Sequence, residues 1–195
     1  MSDQLIIGLS GYARSGKDTA AEALVQYGWT RAAYADKLRE FLLALDPLIP
    51  GHWGAGNLRL RRLIEQTGWD YAKTTYPEVR ALLQRAGTEA GRKVLGSNVW
   101  VDALFREHAD VPALVVTDVR FPNEAQAIAD RGGVMIRVTR RGVGPARDRA
   151  GRVHESETAL DSWPFDHWLD NNGSVHDLHL KLFGVGDLVQ LSQIV

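Results

Sequence analysis

Gly11-Tyr12-Ala13-Arg14-Ser15-Gly16-Lys17-Asp18-Thr19 follows directly on the apolar run Leu5-Ile6-Ile7-Gly8-Leu9, and this junction decides the fold. A short buried strand, a glycine-bounded loop and the first turn of a helix together make a phosphate cradle, the P-loop. Gly11 and Gly16 let the backbone turn so that successive N–H groups point inward at a polyphosphate. The helix beginning near Lys17 adds its positive dipole end, and the Lys17 ammonium reaches the terminal phosphates. The spacing G-x-x-x-x-G-K is intact. Asp18 stands where Ser or Thr normally ligates magnesium, and Thr19 follows it.

Outward from the loop, strands and helices alternate. Ala20, Ala21, Ala23, Leu24 and Tyr27 give the first helix an apolar side, and Gly28 stops it. Residues 30–35 read as a second strand, with Asp36 capping a helix over 37–45. Pro47, Pro50, Gly51, Gly54 and Gly56 predict one mobile loop, and helical patterns resume over 58–66, 77–94 and 99–108. Residues 113–117 read as a buried parallel strand ending at Asp118. Pro122 opens a helix that Gly132-Gly133 closes, 134–139 is the next strand, 165–169 a weaker one, and Ser174 caps a last helix. The expectation is an α/β three-layer fold with a parallel sheet, in one domain over residues 1–195. Ligands bind at the carboxyl ends of the strands, where the P-loop, Asp36, Asp118 and Arg140 all fall.

Composition narrows the function classes. The chain has 195 residues, 45% of them hydrophobic and 24% charged, a formal net charge of −1 and no cysteine. Near-neutral charge gives no bulk electrostatic reason to coat nucleic acid or an anionic membrane. Disulfides and thiolate metal sites are excluded, which fits a reducing compartment. No apolar run reaches the roughly 18 residues of a membrane span, and the chain enters a strand at once, so a cytoplasmic location is expected. A homodimer is compatible with this composition.

Several residues could carry chemistry. Asp118, after an apolar strand, stands where P-loop proteins place a carboxylate near a metal or its waters, or else it caps the next helix. Arg120 can grip phosphate bidentately. Residues 140–152 hold Arg140, Arg141, Arg147, Arg149 and Arg152 among small hinge residues. They form either an arginine lid that closes over a nucleotide or a solvated basic loop; Arg140 and Arg147 are the candidates for catalysis. His154-Glu155-Ser156-Glu157 either hinges this lid or starts a helix. Gly87 and Gly91 interrupt a helical stretch that also carries Gln84, Arg85 and Arg92, so the break is either a substrate-binding element or a simple helix interruption. Trp53, Trp69 and Trp100 are stacking platforms or core.

Together, Ser15-Gly16-Lys17-Asp18-Thr19, Leu83-Gln84 with Gly87-Thr88-Glu89 and Gly91-Arg92, Trp100-Val101, Asp118-Val119-Arg120-Phe121-Pro122-Asn123-Glu124 and His154-Glu155-Ser156-Glu157 resemble the bacteriophage deoxynucleoside monophosphate kinases. The resemblance covers residues 5 to about 160. It implies a nucleoside monophosphate kinase-like fold with an acceptor-binding helical region near 36–110 and a small arginine-rich lid near 140–153. It implies ATP with Mg2+ as donor and a deoxynucleoside 5′-monophosphate (dNMP) as acceptor. On that basis Gly11, Arg14, Ser15, Gly16, Lys17, Asp18 and Thr19 would bind the ATP phosphates, and Lys17, Arg120, Arg140 and Arg147 would be catalytic. Asp36, Lys37, Gln84, Thr88, Glu89, Arg92 and Trp100 would meet the dNMP, and Asp18 and Asp118 would hold the metal, directly or through water. Two other readings stay open: a related P-loop kinase with a hydroxyl acceptor, such as a hydroxymethylated base in DNA, and a nucleotide-binding module without turnover.

Overall fold

The computed structural model describes residues 4–51, 56–147 and 151–192, with side chains as far as Val185. Trp53 and Arg149 therefore lie outside the described residues. The chain divides into two compact units, one built from the residues up to Ala33 and from Leu104 onward, the other from Tyr34–Ala103.

In the first unit, β1 (Leu5–Ser10) leads into α1 (Lys17–Val25) and β2 (Thr30–Ala32). The second unit carries α2 (Tyr34–Leu45), a two-stranded antiparallel ribbon of β3 (Leu48–Ile49) and β4 (Leu58–Arg59), α3 (Leu60–Thr75) and α4 (Pro77–Gln84). A π-helix (Arg85–Leu95) follows directly, and α5 (Val99–Glu107) leads back to the first unit. There β5 (Ala113–Val116), α6 (Pro122–Ala129), β6 (Val134–Thr139), α7 (Glu155–Thr158), β7 (His167–Asp170) and α8 (Val175–Ser192) complete the order.

The sheet runs β2-β5-β1-β6-β7 with every pair parallel. The three inner strands, β5, β1 and β6, are near-continuous apolar runs because both faces are covered. One face packs Ile7, Leu9, Val115, Ile136 and Val138 against Ala20, Ala21 and Leu24 of α1 and Leu178 and Leu182 of α8. Each buried Val, Leu or Ile side chain there contributes about 1.5–3 kcal/mol. On β1, Gly8 is required: a Cβ there would lie 2.6 Å from Ile128 Cδ1 of α6 and from Met135 Sδ. Because all five strands run the same way, the loops after β1, β5, β6 and β7 leave the sheet at one edge.

Three local expectations are corrected. The helix expected over 37–45 begins at Tyr34, so Asp36 lies inside its first turn and not at its cap. The stretch read as one loop over 47–56 contains β3, which hydrogen-bonds to β4. The helix expected to end near Gln66 continues to Thr75, with a kink at Gly68 (φ 75°). Ser174 does cap α8, its Oγ accepting from Asp177 N at 3.1 Å.

Candidate active site

The loop after β1 starts and ends on glycine for steric reasons. Gly11 (φ 148°) and Gly16 (φ 99°) occupy left-handed backbone regions, and a Cβ on Gly11 would collide with Val138 O while one on Gly16 would collide with Asn171 Nδ2. Arg14 also has a positive φ, at 67°, with its side chain exposed. Asn171, in the loop after β7, donates to Ser15 O at 2.8 Å and so ties the P-loop to the far edge of the sheet.

Lys17 is 8% exposed, and its ammonium donates to Gly11 O at 2.8 Å and Tyr12 O at 3.0 Å. Burial, followed by the nearby Arg120 guanidinium, lowers its pKa from 10.5 to about 8, against the opposing pull of Asp18, Glu157 and Asp118. A lysine that forfeits hydration in this way gains the more from an arriving anion. Ser15 Oγ and Thr117 Oγ1 are buried without a hydrogen-bond partner among the described residues. Buried hydroxyls of this kind normally find one, so both have capacity left for a ligand or its waters.

Asp118, directly after Thr117, is half-buried. It is not the cap of α6: that helix has its N-cap at Phe121, and buried Glu124 accepts from Arg120 N at 2.7 Å and Phe121 N at 3.0 Å. Arg120 is therefore fixed at its backbone by Glu124 and at its guanidinium by Glu157, at 2.8 Å. The second oxygen of Glu157 accepts from Ala146 N at 3.2 Å. His154 serves as the N-cap of α7, its Nδ1 accepting from Ser156 N, so the His154–Glu157 stretch starts a helix.

The arginine segment leaves β6 through a turn closed by Val143 N to Arg140 O at 3.1 Å. Arg140 is exposed, Arg141 N donates to Asn172 Oδ1 at 2.7 Å, and Arg147 donates to Gly151 O at 2.8 Å while bridging to Val153. Asp18 has a side chain that is 73% exposed and pairs with Arg31 at 3.3 Å. Thr19 O accepts from His179 Nε2 at 2.8 Å.

In the second unit, the glycines that interrupt the helical pattern sit in the π-helix, where the wider turn follows from close packing. A Cβ on Gly87 would lie 2.9 Å from Leu38 Cδ2, and one on Gly91 would lie 2.7 Å from Trp100 Cζ2. Trp100, 9% exposed, donates from Nε1 to Gly87 O at 2.9 Å, so its indole props the turn that carries Thr88, Glu89 and Arg92. Gln84 and Glu89 are exposed, and Thr88 and Arg92 half-buried. On α2, Asp36 pairs with Arg39 at 3.1 Å and Lys37 with Glu40 at 2.6 Å. Trp69 lies under Arg39, whose Cζ is 6.0 Å from the ring centroid.

Sequence reading missed Asn171, Thr117 and Arg137. Only Arg137 left a signal, as the single charge in the apolar strand β6.

The deoxynucleotide monophosphate kinase family model matches residues 61–182. The chain is 28% identical over 136 residues to the deoxynucleoside-5′-monophosphate kinase of Escherichia phage T5, a match covering 67% of this chain and 54% of that enzyme. It is 28% identical over 203 residues to a protein of Acanthamoeba polyphaga mimivirus provisionally named deoxynucleotide monophosphate kinase, covering 94% of this chain and 96% of that one. Among solved structures, the dephospho-CoA kinase from Campylobacter jejuni aligns with a TM-score of 0.46 and 16% identity, covering 96% of this chain and 98% of that one. With more than half of its length matched by the family model, the chain belongs to the deoxynucleotide monophosphate kinase family.

Proposed function

We propose that the chain transfers the γ-phosphoryl group of ATP to the phosphate of a dNMP, giving ADP and a deoxynucleoside diphosphate. The observation that carries this reading is the buried Lys17 in a glycine-bounded phosphate cradle, on a chain of this family. An acceptor phosphate oxygen attacks the γ-phosphorus in line. The new P–O bond forms as the bond to the β–γ bridging oxygen breaks, and the electron pair leaves with ADP. The acceptor is already ionised at neutral pH, so no general base is needed.

Catalysis then reduces to positioning and charge. Gly11, Arg14, Ser15, Gly16, Lys17 and Thr19 hold the donor triphosphate. Arg120, Arg140 and Arg147 offset the charge that spreads over the transferring oxygens. Asp36, Lys37, Gln84, Thr88, Glu89 and Arg92 hold the dNMP, with Trp100 keeping the π-turn in shape. The unpartnered Thr117 hydroxyl beside Asp118 fits Mg2+, which takes one or two carboxylates plus waters and phosphates. Asp118 and Asp18 would hold the ion, which supplies neutralisation of the β- and γ-phosphate oxygens. No described helix is long and apolar enough to cross a membrane. We place the reaction in the cytoplasm, the host's where the chain is phage-encoded.

The test is steady-state ADP release from ATP and Mg2+ with each of the four dNMPs, alongside nucleosides and hydroxymethylated DNA as hydroxyl acceptors. Turnover with at least one dNMP and none with the hydroxyl acceptors is expected. Turnover confined to a hydroxyl acceptor, or none at all, would refute the assignment.

A further inference from the structure

A parallel strand covered on both faces has little use for a charge, yet β6 carries Arg137 at its centre, 6% exposed. A buried guanidinium persists only where its N–H groups are met, and removing it from water makes it poor evidence of stabilisation. Its partners lie around the entrance to the phosphate cradle. Arg137 is the register partner of Ser10, the residue before Gly11, and Nη1 donates to Ser10 Oγ at 3.3 Å. Nη2 donates to Asp161 Oδ1 at 2.7 Å. The guanidinium carbon lies 4.8 Å from the ring centroid of Tyr12, the residue after Gly11, and 5.5 Å from that of Phe165. Asp161 closes the circuit, its other oxygen accepting from the Tyr12 hydroxyl at 3.0 Å.

The arrangement holds Gly11 from both sides. Tyr12 O is in turn the acceptor for Ser15 N at 3.1 Å and for the Lys17 ammonium at 3.0 Å. A shift of Tyr12 therefore moves both the amides of the cradle and the resting place of its lysine.

We propose that Arg137 and Asp161 form a brace that positions Tyr12, and through its backbone sets the cradle and Lys17 for the ATP triphosphate. Arg137 does not touch substrate; it is a positioning residue. The brace rests on the reading of this loop as the ATP site, and it adds an ionic circuit around a buried guanidinium that this reading does not require.

Tyr12→Phe keeps the ring over Arg137 and removes only the hydroxyl link to Asp161; Asp161→Asn weakens that link and also removes the charge paired with Arg137. Each variant of the full chain is measured for ATP affinity by titration calorimetry, for KM of ATP and of dNMP, and for Tm. Tyr12→Phe is expected to weaken ATP binding about fivefold, the worth of one hydrogen bond, with KM for dNMP and Tm close to wild type, and Asp161→Asn to weaken ATP binding at least as much. The double variant should be no worse than Asp161→Asn alone, since that change already includes the link that Tyr12→Phe cuts. Arg137→Lys, which keeps the charge but loses the planar fork, should weaken ATP further; should it fail to fold, the two surface variants still decide.

Unchanged ATP affinity with a lowered Tm would make the circuit a structural ion pair and overturn the brace, leaving the kinase reading intact. ATP binding that Tyr12→Phe weakens, in a wild-type chain with no dNMP turnover, would support the brace and refute the acceptor. A wild-type chain that binds no ATP overturns both.

Discussion

Lys17 makes ATP binding depend on pH with a sign that the structure sets. In the ligand-free chain its pKa is lowered to about 8, chiefly by burial and then by Arg120. A triphosphate beside the ammonium favours the charged form and raises the pKa again, so binding takes up a proton wherever the free lysine is neutral. With a free pKa near 8, about nine tenths of the molecules carry the charge at pH 7 and about one tenth at pH 9. Apparent ATP affinity should therefore fall about tenfold between those values, or about 1.4 kcal/mol. With Mg2+ bound, the phosphates of ATP stay ionised over this range and do not confound it. Calorimetry in two buffers of different ionisation enthalpy should read about 0.9 proton taken up per ATP at pH 9 and about 0.1 at pH 7. Lys17→Arg, charged throughout, should bind with a flat profile, whatever geometry costs it. Stability moves the other way: the unfolded lysine holds its proton to higher pH, so the share of folding stability that Lys17 governs rises between pH 8 and 10.5. Flat wild-type affinity with no proton uptake at pH 9 would refute the reasoning, because a cradle lysine cannot be both poised and indifferent.

Two further outcomes follow from single contacts. Gly91→Ala places a methyl group 2.7 Å from Trp100 and 2.9 Å from Ala86 O. It should cost about 1–3 kcal/mol in a thermal melt and raise KM for dNMP while leaving ATP affinity alone; an unshifted melt would show the π-turn to be loosely packed. Asp18→Asn breaks only an exposed pair with Arg31 and should change stability by less than about 0.5 kcal/mol. It should raise the Mg2+ concentration for half-maximal rate, and an unchanged Mg2+ dependence would rule out a metal-holding role for Asp18.

The parts of the fold legible in advance are those governed by local pattern. Strands β1, β5 and β6 show as apolar runs, and Gly11 and Gly16 with Lys17 mark the strand-to-helix junction, because each needs only its neighbours to be read. The parts not legible depend on partners distant in sequence. The π-helix has no period of its own to betray it; it exists because Gly87 and Gly91 let Leu38 and Trp100 approach. The β3–β4 ribbon depends on a pairing across a stretch of sequence rich in glycine and proline. Asp18 was read from its place in the motif, whereas its observed contact is with Arg31, 13 residues on. Arg137 is not singled out in the sequence, and its meaning comes from Ser10, 127 residues away, and from Asp161.

The cations around the cradle differ in how they are neutralised, and that difference bears on selectivity for a polyphosphate. Arg137 has Asp161 and Arg120 has Glu157, each pair within 2.8 Å. Lys17, among the described residues, is held by two carbonyl dipoles and by no carboxylate contact. The two arginines can thus shape the site without competing strongly for any passing anion, while the buried ammonium is left incompletely compensated. Burial weakens its hold on a proton and strengthens its attraction to a phosphate that displaces the carbonyls, since both effects come from the same loss of water. A Glu157→Gln variant separates the parts played by the two cations: it frees Arg120 from its counter-charge and removes one influence that raises the Lys17 pKa. The midpoint of the ATP affinity profile should then move to lower pH, and binding of a simple anion such as inorganic phosphate should tighten at pH 7. A midpoint that stays in place would mean that Glu157 acts on Arg120 and Ala146 alone, and that solvent screens it from the lysine.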